Sequence, residues 1–192
     1  MKSLDRKILS EAAYLGNGII KVDRFLNHCV DTALMTEIGN EFSRQLSAQG
    51  ITGINKIVTA ETSGIAPALT TAQALGVPMV FARKKQPVTM KGNGYSSSVH
   101  SHTKEDRVTL HISKEFLSAE DRIVIIDDFL GVGETTTGLV ELIKQSGARL
   151  CAIGFVLEKT YEQGRKALNH LGVPIISLAR LDLQGEKIIL VP

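Results

Sequence analysis

The sequence predicts an α/β fold, a five-stranded parallel sheet with helices on both faces. Three observations predict it. Five short apolar runs, near Ile54–Ala60, Val77–Ala82, Ile123–Ile126, Ala152–Leu157 and Ile175–Leu178, alternate with helical patterns. The runs are largely continuous rather than alternating, as in strands covered on both sides. Four of them stop at polar clusters: Glu61–Gly64, Arg83–Lys85, Asp127–Thr137 and Glu158-Lys159. Strands of a parallel sheet share one carboxyl edge, so these clusters are expected to meet in one cleft.

In chain order, Leu4, Ile8, Leu9 and Ala12 share one helical face, and Gly16 and Gly18 end that helix. Ile19, Ile20 and Val22 read as a short strand. Asp23–His28 is irregular and polar, and on its chemistry alone reads as a solvated connector. Leu34, Ile38, Phe42 and Leu46 recur every four residues, giving a helix from about Asp31 to Gln49 with Gly50 beyond its end. The strand at Ile54–Ala60 runs into Glu61-Thr62-Ser63-Gly64, either a plain turn or an anion nest. Pro67 suits the first turn of the next helix and Gly76 closes it.

Arg83-Lys84-Lys85 ends the following strand. Gln86–Lys104 is polar and rich in turn residues, with Pro87, Gly92, Gly94 and Ser96–Ser98. A polar stretch of that length inside a compact domain reads as a flexible lid. Tyr95–Ser101 and Arg107–Ile112 alternate enough to form a two-stranded ribbon.

Ile123–Leu139 is the stretch around which the rest is organised. Four apolar residues are followed by Asp127 and Asp128, expected at the exposed strand tip because burying two carboxylates is costly. Gly131 and Gly133 permit a tight turn. Thr135–Thr137 offer N-cap hydroxyls, and a helix pattern starts at about Leu139. A strand, a glycine turn and a helix N-terminus make a phosphate site. The chain lacks the Gly-Lys-Ser/Thr of a Walker loop, and Thr136 stands where a dinucleotide fingerprint needs its third glycine. The paired acids add acceptors for sugar hydroxyls and charge for a developing cation. Beyond this stretch, Gly164–Leu171 reads as a short helix closed by Gly172, and Leu181–Val191 as a hairpin turning near Asp182–Glu186.

Length fits one domain, residues 1–192. A formal net charge of +2 argues for neither nucleic acid nor a membrane surface as partner. Cys29 and Cys151 have no metal spacing and form no disulfide framework, which points to the cytoplasm. The N-terminus is no signal-peptide core, and no apolar run reaches the roughly 18 residues of a membrane span. His28, His100, His102, His111 and His170 lack ligand spacing and read as surface residues, so no resident metal site is expected.

The stretch from Ile123 to Leu139 resembles the ribose-phosphate signature of the type I phosphoribosyltransferases. Nearly the whole chain is similar to the bacterial xanthine phosphoribosyltransferases. The matching stretches are Lys21-Val-Asp-Arg-Phe-Leu-Asn-His28, Glu61-Thr-Ser-Gly-Ile-Ala-Pro67, Val80-Phe-Ala-Arg-Lys84, Ile125-Ile-Asp-Asp-Phe-Leu130, Glu158-Lys159 and Ser177-Leu-Ala-Arg180. The resemblance implies transfer of 5-phosphoribose from phosphoribosyl pyrophosphate to xanthine, giving xanthosine monophosphate and pyrophosphate in purine salvage, by a cytoplasmic homodimer. It implies that Gly131, Val132, Gly133, Glu134 and Thr135 cradle the 5′-phosphate and that Asp127 and Asp128 hold the ribose. It places Glu61, Thr62, Ser63, Gly64, Arg83 and Lys84 at the pyrophosphate with Mg²⁺. Ile20, Asn27 and Lys159 match base-contacting positions, which turns the N-terminal connector into part of a hood (residues 1–30) over the base, with residues 86–112 as lid. Lys159 carries only donors and suits an oxopurine O6, and the Asn27 amide suits O2 of xanthine. Phe129 is placed either to stack on the base or to pack in the core. One departure stands out: where family loops read Leu-Ala-Asn-Gly-Gln, this chain has Leu130-Gly-Val-Gly-Glu134, which sets an acid in a phosphate cradle. A guanine or hypoxanthine enzyme and a non-catalytic sensor of phosphoribosyl pyrophosphate are the alternative functions.

Overall fold

A computed structural model describes residues 1–90, 92–100 and 107–192. Helix α1 (Lys2–Glu11) buries Leu4 and Ile8 and leads into a small antiparallel ribbon, β1 (Ala13–Tyr14) with β2 (Ile20–Lys21). Gly16 and Gly18 lie in the ribbon turn rather than at the helix end. Asp23–Asn27 is not an irregular connector but one wide helical turn that buries Phe25 and Leu26. Asp31 caps α2 (Thr32–Ala48), its carboxylate accepting from the Leu34 N–H at 3.0 Å.

The central sheet holds β3 (Lys56–Ala60), β4 (Met79–Ala82), β7 (Arg122–Leu130), β8 (Arg149–Lys159), β9 (Ile175–Gln184) and β10 (Lys187–Val191). Its order is β10-β9-β8-β7-β3-β4. Five strands are parallel as expected; β10 adds an antiparallel sixth at the edge, because the expected C-terminal hairpin extends the last core strand to Gln184 and folds back along it. Successive residues of β7 alternate between two buried layers. Val124 and Ile126 face α1, α2 and α3 (Ile65–Leu75); Ile123 and Ile125 face α4 (Glu134–Ser146), α5 (Gly164–Leu168) and the second ribbon. Both faces are covered, which explains why the strands read as continuous apolar runs.

That second ribbon, β5 (Gly94–His100) with β6 (Arg107–Ser113), pairs Tyr95 with Ile112 and Val99 with Val108, and its strands lie close to the two segments expected to form it. It joins the sheet edge through reciprocal backbone bonds between Arg83 and His111, at 2.9 and 2.8 Å. His28 and His170 are exposed, but His111, expected at the surface, is half-buried by that junction. Parts of the expected lid, Lys91 and residues 101–106 including His102, lie outside the described residues. Among the described residues no helix is long and apolar enough to cross a membrane.

Candidate active site

Strand order reverses between β3 and β7. From β3 the chain steps outward to β4, and from β7 it steps the other way to β8 and β9. Ligands of open parallel sheets sit at such a switch point, beyond the strand carboxyl ends. Two of the predicted clusters meet there. Gly64, at the start of α3, packs so tightly on β7 that a Cβ atom would come within 2.4 Å of Asp127 Oδ1 and 2.2 Å of Thr59 Oγ1. Only glycine brings the Glu61–Gly64 turn this close to the acid. Thr59 Oγ1 is itself buried with no hydrogen-bond partner among the described residues. The Glu61–Thr62 peptide is cis.

The acid pair departs from its expected setting. β7 does not end at Ile126; it continues through both carboxylates to Leu130, and Asp127 pairs with Phe155 of β8. Asp127 is only 7% exposed rather than standing at an open tip. Continued ladder bonding to β8 offsets the cost that propensity alone would assign to acids in a strand. Burial and then the neighbouring Asp128 push the Asp127 carboxyl well above the ordinary carboxylate range, with Lys84 opposing. Burial also raises Asp128, again against the pull of Lys84. Asp127 Oδ1 accepts the Asp128 N–H at 3.0 Å.

Glu61 holds the end of β4 in place. Its Oε1 accepts the Lys84 N–H at 2.6 Å and its Oε2 lies 3.8 Å from Arg83 Nε. Arg83 stacks over Phe81 with its guanidinium half exposed. The loop 131–133 continues the cluster that begins with the acid pair. Gly133 takes φ +89° to turn the chain into α4, which starts at Glu134 and not near Leu139. The threonines are therefore inside the first turn instead of capping it, and no side chain occupies the N-cap site. The first amides of α4 thus stay available to an anion. Glu134 is half-buried and makes no hydrogen bond or ion pair among the described residues.

The fourth cluster splits. Glu158 is 2% exposed and structural. Arg165 clamps it with bonds of 2.8 and 2.6 Å, and Arg180 Nε lies at 3.4 Å. Burial disfavours its charge, but Arg165, Ser177 and Arg180 outweigh that and hold the carboxyl below its usual range. Lys159 ends β8. Its ammonium lies 5.6 Å from the Phe129 ring centroid and donates to the Gly18 carbonyl at 3.0 Å, which ties the N-terminal ribbon turn to β8. Tyr161 Oη donates to the same carbonyl at 2.9 Å. Phe129 is half-buried and packs against the core, one of its two expected settings. Ile20 is buried in β2. Asn27 ends the wide helical turn, and its Oδ1 is buried without a partner among the described residues.

Residues 30–168 match the model of the phosphoribosyl transferase domain. The chain belongs to the phosphoribosyltransferase family. It is 46% identical over 190 residues to the xanthine phosphoribosyltransferase of Listeria monocytogenes serotype 4b (strain F2365), covering 98% of this chain and 97% of that one. It is 49% identical over 182 residues to the xanthine phosphoribosyltransferase of Streptococcus pneumoniae (strain Hungary19A-6), covering 95% and 93%. Among solved structures, the adenine phosphoribosyltransferase of Saccharomyces cerevisiae is similar at TM-score 0.74 and 26% identity, over 93% of this chain and 99% of that one.

Within this phosphoribosyltransferase fold, sequence reasoning missed two contacts. Gly18 was read only as a helix terminator, yet its carbonyl receives Lys159 and Tyr161. Glu162 was not singled out, yet it pairs with Lys159 at 2.9 Å. Its three-residue spacing from that lysine was the only available signal.

Proposed function

We propose that the protein transfers 5-phosphoribose from phosphoribosyl pyrophosphate to xanthine, releasing pyrophosphate and forming xanthosine monophosphate in purine salvage. The observation that carries this reading is the Asn27 Oδ1, buried and unpartnered among the described residues, in the N-terminal segment that also brings Gly18 to Lys159. A purine edge carrying O2 beside a ring N–H satisfies both ends of that amide, the side-chain N–H donating to O2 and Oδ1 accepting. Lys159 has donors only, and among the described residues one of its three is free beyond Gly18 and Glu162, which suits O6 of an oxopurine and not the amino group of adenine. The names of the relatives point to the same base.

In this reading the backbone of Gly131, Val132, Gly133, Glu134 and Thr135 receives the 5′-phosphate, with Glu134 turned away from it. Asp127 and Asp128 hold the ribose, and their charge favours the cation that develops at C1 as the bond to pyrophosphate breaks and a ring nitrogen of the base takes its place. Glu61, Thr62, Ser63 and Gly64, with Arg83 and Lys84, receive the pyrophosphate. The carboxylates fit Mg²⁺ arriving with the donor. That ion takes oxygen ligands through one or two carboxylates and substrate phosphates, and among the described residues no cluster of three or more metal-ligating side chains offers a cage of its own. Mg²⁺ supplies charge neutralisation to the departing pyrophosphate. Residues 1–30 serve as the hood over the base and residues 86–112 as a lid that keeps water from the donor, within one domain spanning 1–192. The protein works in the cytoplasm as a homodimer, with no nucleic-acid or membrane partner.

Asn27→Asp tests the base assignment. When ionised it offers only acceptors, repelling O2 of xanthine and receiving the 2-amino group of guanine. Loss of one buried hydrogen bond costs about 1–3 kcal/mol, so the ratio of kcat/KM for xanthine to that for guanine is expected to fall at least about tenfold. Hypoxanthine, without a 2-substituent, changes less. An unchanged ratio in the folded variant removes Asn27 from base recognition.

A further inference from the structure

Glu162 lies outside every role assigned above, yet it touches two of the parts. Its Oε1 accepts from Lys159 Nζ at 2.9 Å, with 17% and 23% of the lysine and glutamate side chains exposed. Its Oε2 lies over the first glycine of the phosphate loop: a Cβ on Gly131 would meet it at 2.7 Å. The turn carrying Glu162 is seated on that loop as well. A Cβ on Gly164 would collide with the Gly131 carbonyl at 2.0 Å and with Leu130 Cδ1 at 2.8 Å. The turn itself is fixed by the Glu162 N–H donating to the Lys159 carbonyl at 3.1 Å. The lysine therefore has three anchors: the Gly18 carbonyl, the Phe129 face and the Glu162 carboxylate. The last of these also reaches the phosphate loop at Gly131.

We propose that Glu162 is a positioning and specificity-determining residue: it aims the Lys159 ammonium at the base carbonyl and, through its contact with Gly131, makes that aim depend on the phosphate loop. A lysine on a four-carbon stem has many rotamers, and a shared carboxylate removes most of them before the base arrives. The contact is steric at one oxygen and charge-assisted at the other, so a shift of the loop toward the carboxylate moves the ammonium with it. This inference rests on Lys159 reading the base.

The test measures equilibrium binding of two ligands by calorimetry. Xanthosine monophosphate engages loop and base site together; ribose 5-phosphate engages the loop alone. Glu162→Ala is expected to weaken xanthosine monophosphate about tenfold while ribose 5-phosphate changes less than about twofold. In turnover assays the KM for xanthine rises with kcat little changed. Glu162→Gln keeps an acceptor for the ammonium and restores most of the affinity. Gly131→Ala pushes the carboxylate aside, so its selective cost to xanthosine monophosphate is present with Glu162 and absent in the Glu162→Ala background. Equal weakening of both ligands, or additive effects of the two substitutions, overturns the proposal in favour of a merely structural acid. Lys159→Ala separates the two readings. If it weakens xanthosine monophosphate and Glu162→Ala does not, only the role of Glu162 fails; if Lys159→Ala has no effect, the base assignment fails with it.

Discussion

Gly64→Ala puts the switch-point geometry to a quantitative test. The added Cβ would stand 2.2 Å from Thr59 Oγ1, 2.4 Å from Asp127 Oδ1 and 3.3 Å from the Ala60 carbonyl. The first two distances are well inside van der Waals contact, and the groups met are buried on β3 and β7 rather than the loose ends of surface side chains. Relief must come from moving the turn or the acid. Overpacking of this kind costs about 1–3 kcal/mol. Taking about 2 kcal/mol, a chain of this length should melt about 4–8 °C lower. Activity should fall further than stability, because displacing a reacting group by about 1 Å can cost about a hundredfold in rate. Thermal melts and initial rates on the same preparation read both effects. Adding Thr59→Ala removes the nearer clash and should recover part of the melting temperature but little of the rate, since Asp127 stays displaced. A Gly64→Ala protein that melts within about 1 °C of wild type and turns over normally would refute the close approach of turn and acid.

Two other substitutions bear on the buried charges. Asp127→Asn keeps the acceptor for the Asp128 N–H but removes a carboxyl whose pKa burial raises. A raised folded pKa means that wild-type stability falls as pH climbs from the ordinary carboxylate range through the folded value. The variant is therefore expected to melt above wild type at pH 7.5, with the gap closing in acid, while turnover drops by about 100-fold or more; a variant that melts lower, or that keeps its turnover, contradicts this. Arg165→Ala strips the two short bonds from Glu158 and leaves that carboxylate buried with Arg180 at 3.4 Å. Stranding a buried charge costs about 3–5 kcal/mol, so a loss of at least about 6 °C is expected at neutral pH. The wild-type contribution of this lowered pKa is present above the ordinary carboxylate range and lost as pH falls, so the difference between the two proteins should shrink in acid. A pH-independent difference would show that the arginine matters for packing alone.

Much of this architecture is legible in the residues because both sheet faces are covered, which makes each core strand a continuous apolar run with a visible end. The helix limits were marked too: Asp31 caps α2, and Gly76 takes the left-handed conformation that closes α3. What misled the reading has a common cause. Asp127 and Asp128 lie inside β7 and Glu158 inside β8, so acids that looked like strand tips are held within the strands, whereas Lys159 does end β8. A local rule against acids in buried strands fails where ladder pairing continues through them. Helix α4 starts five residues before Leu139 because its apolar periodicity marks its buried face, while its first turn is polar. The N-terminal segment escaped because one wide turn carries no hydrophobic period; Phe25 and Leu26 are buried side by side there. The link between Gly18, Lys159 and Glu162 joins residues 141 positions apart at one end and three at the other, and only the fold shows it.

The most direct measurement of the central claim is product formation from phosphoribosyl pyrophosphate and Mg²⁺ with xanthine, guanine, hypoxanthine and adenine supplied together and separately. Xanthine is expected to give the highest kcat/KM and to suppress the other three in competition, with guanine the best of the rest because Asn27 Oδ1 can accept its 2-amino group, and adenine inert against the Lys159 ammonium. Preferred turnover of adenine, or binding of phosphoribosyl pyrophosphate without turnover of any purine, would contradict the account.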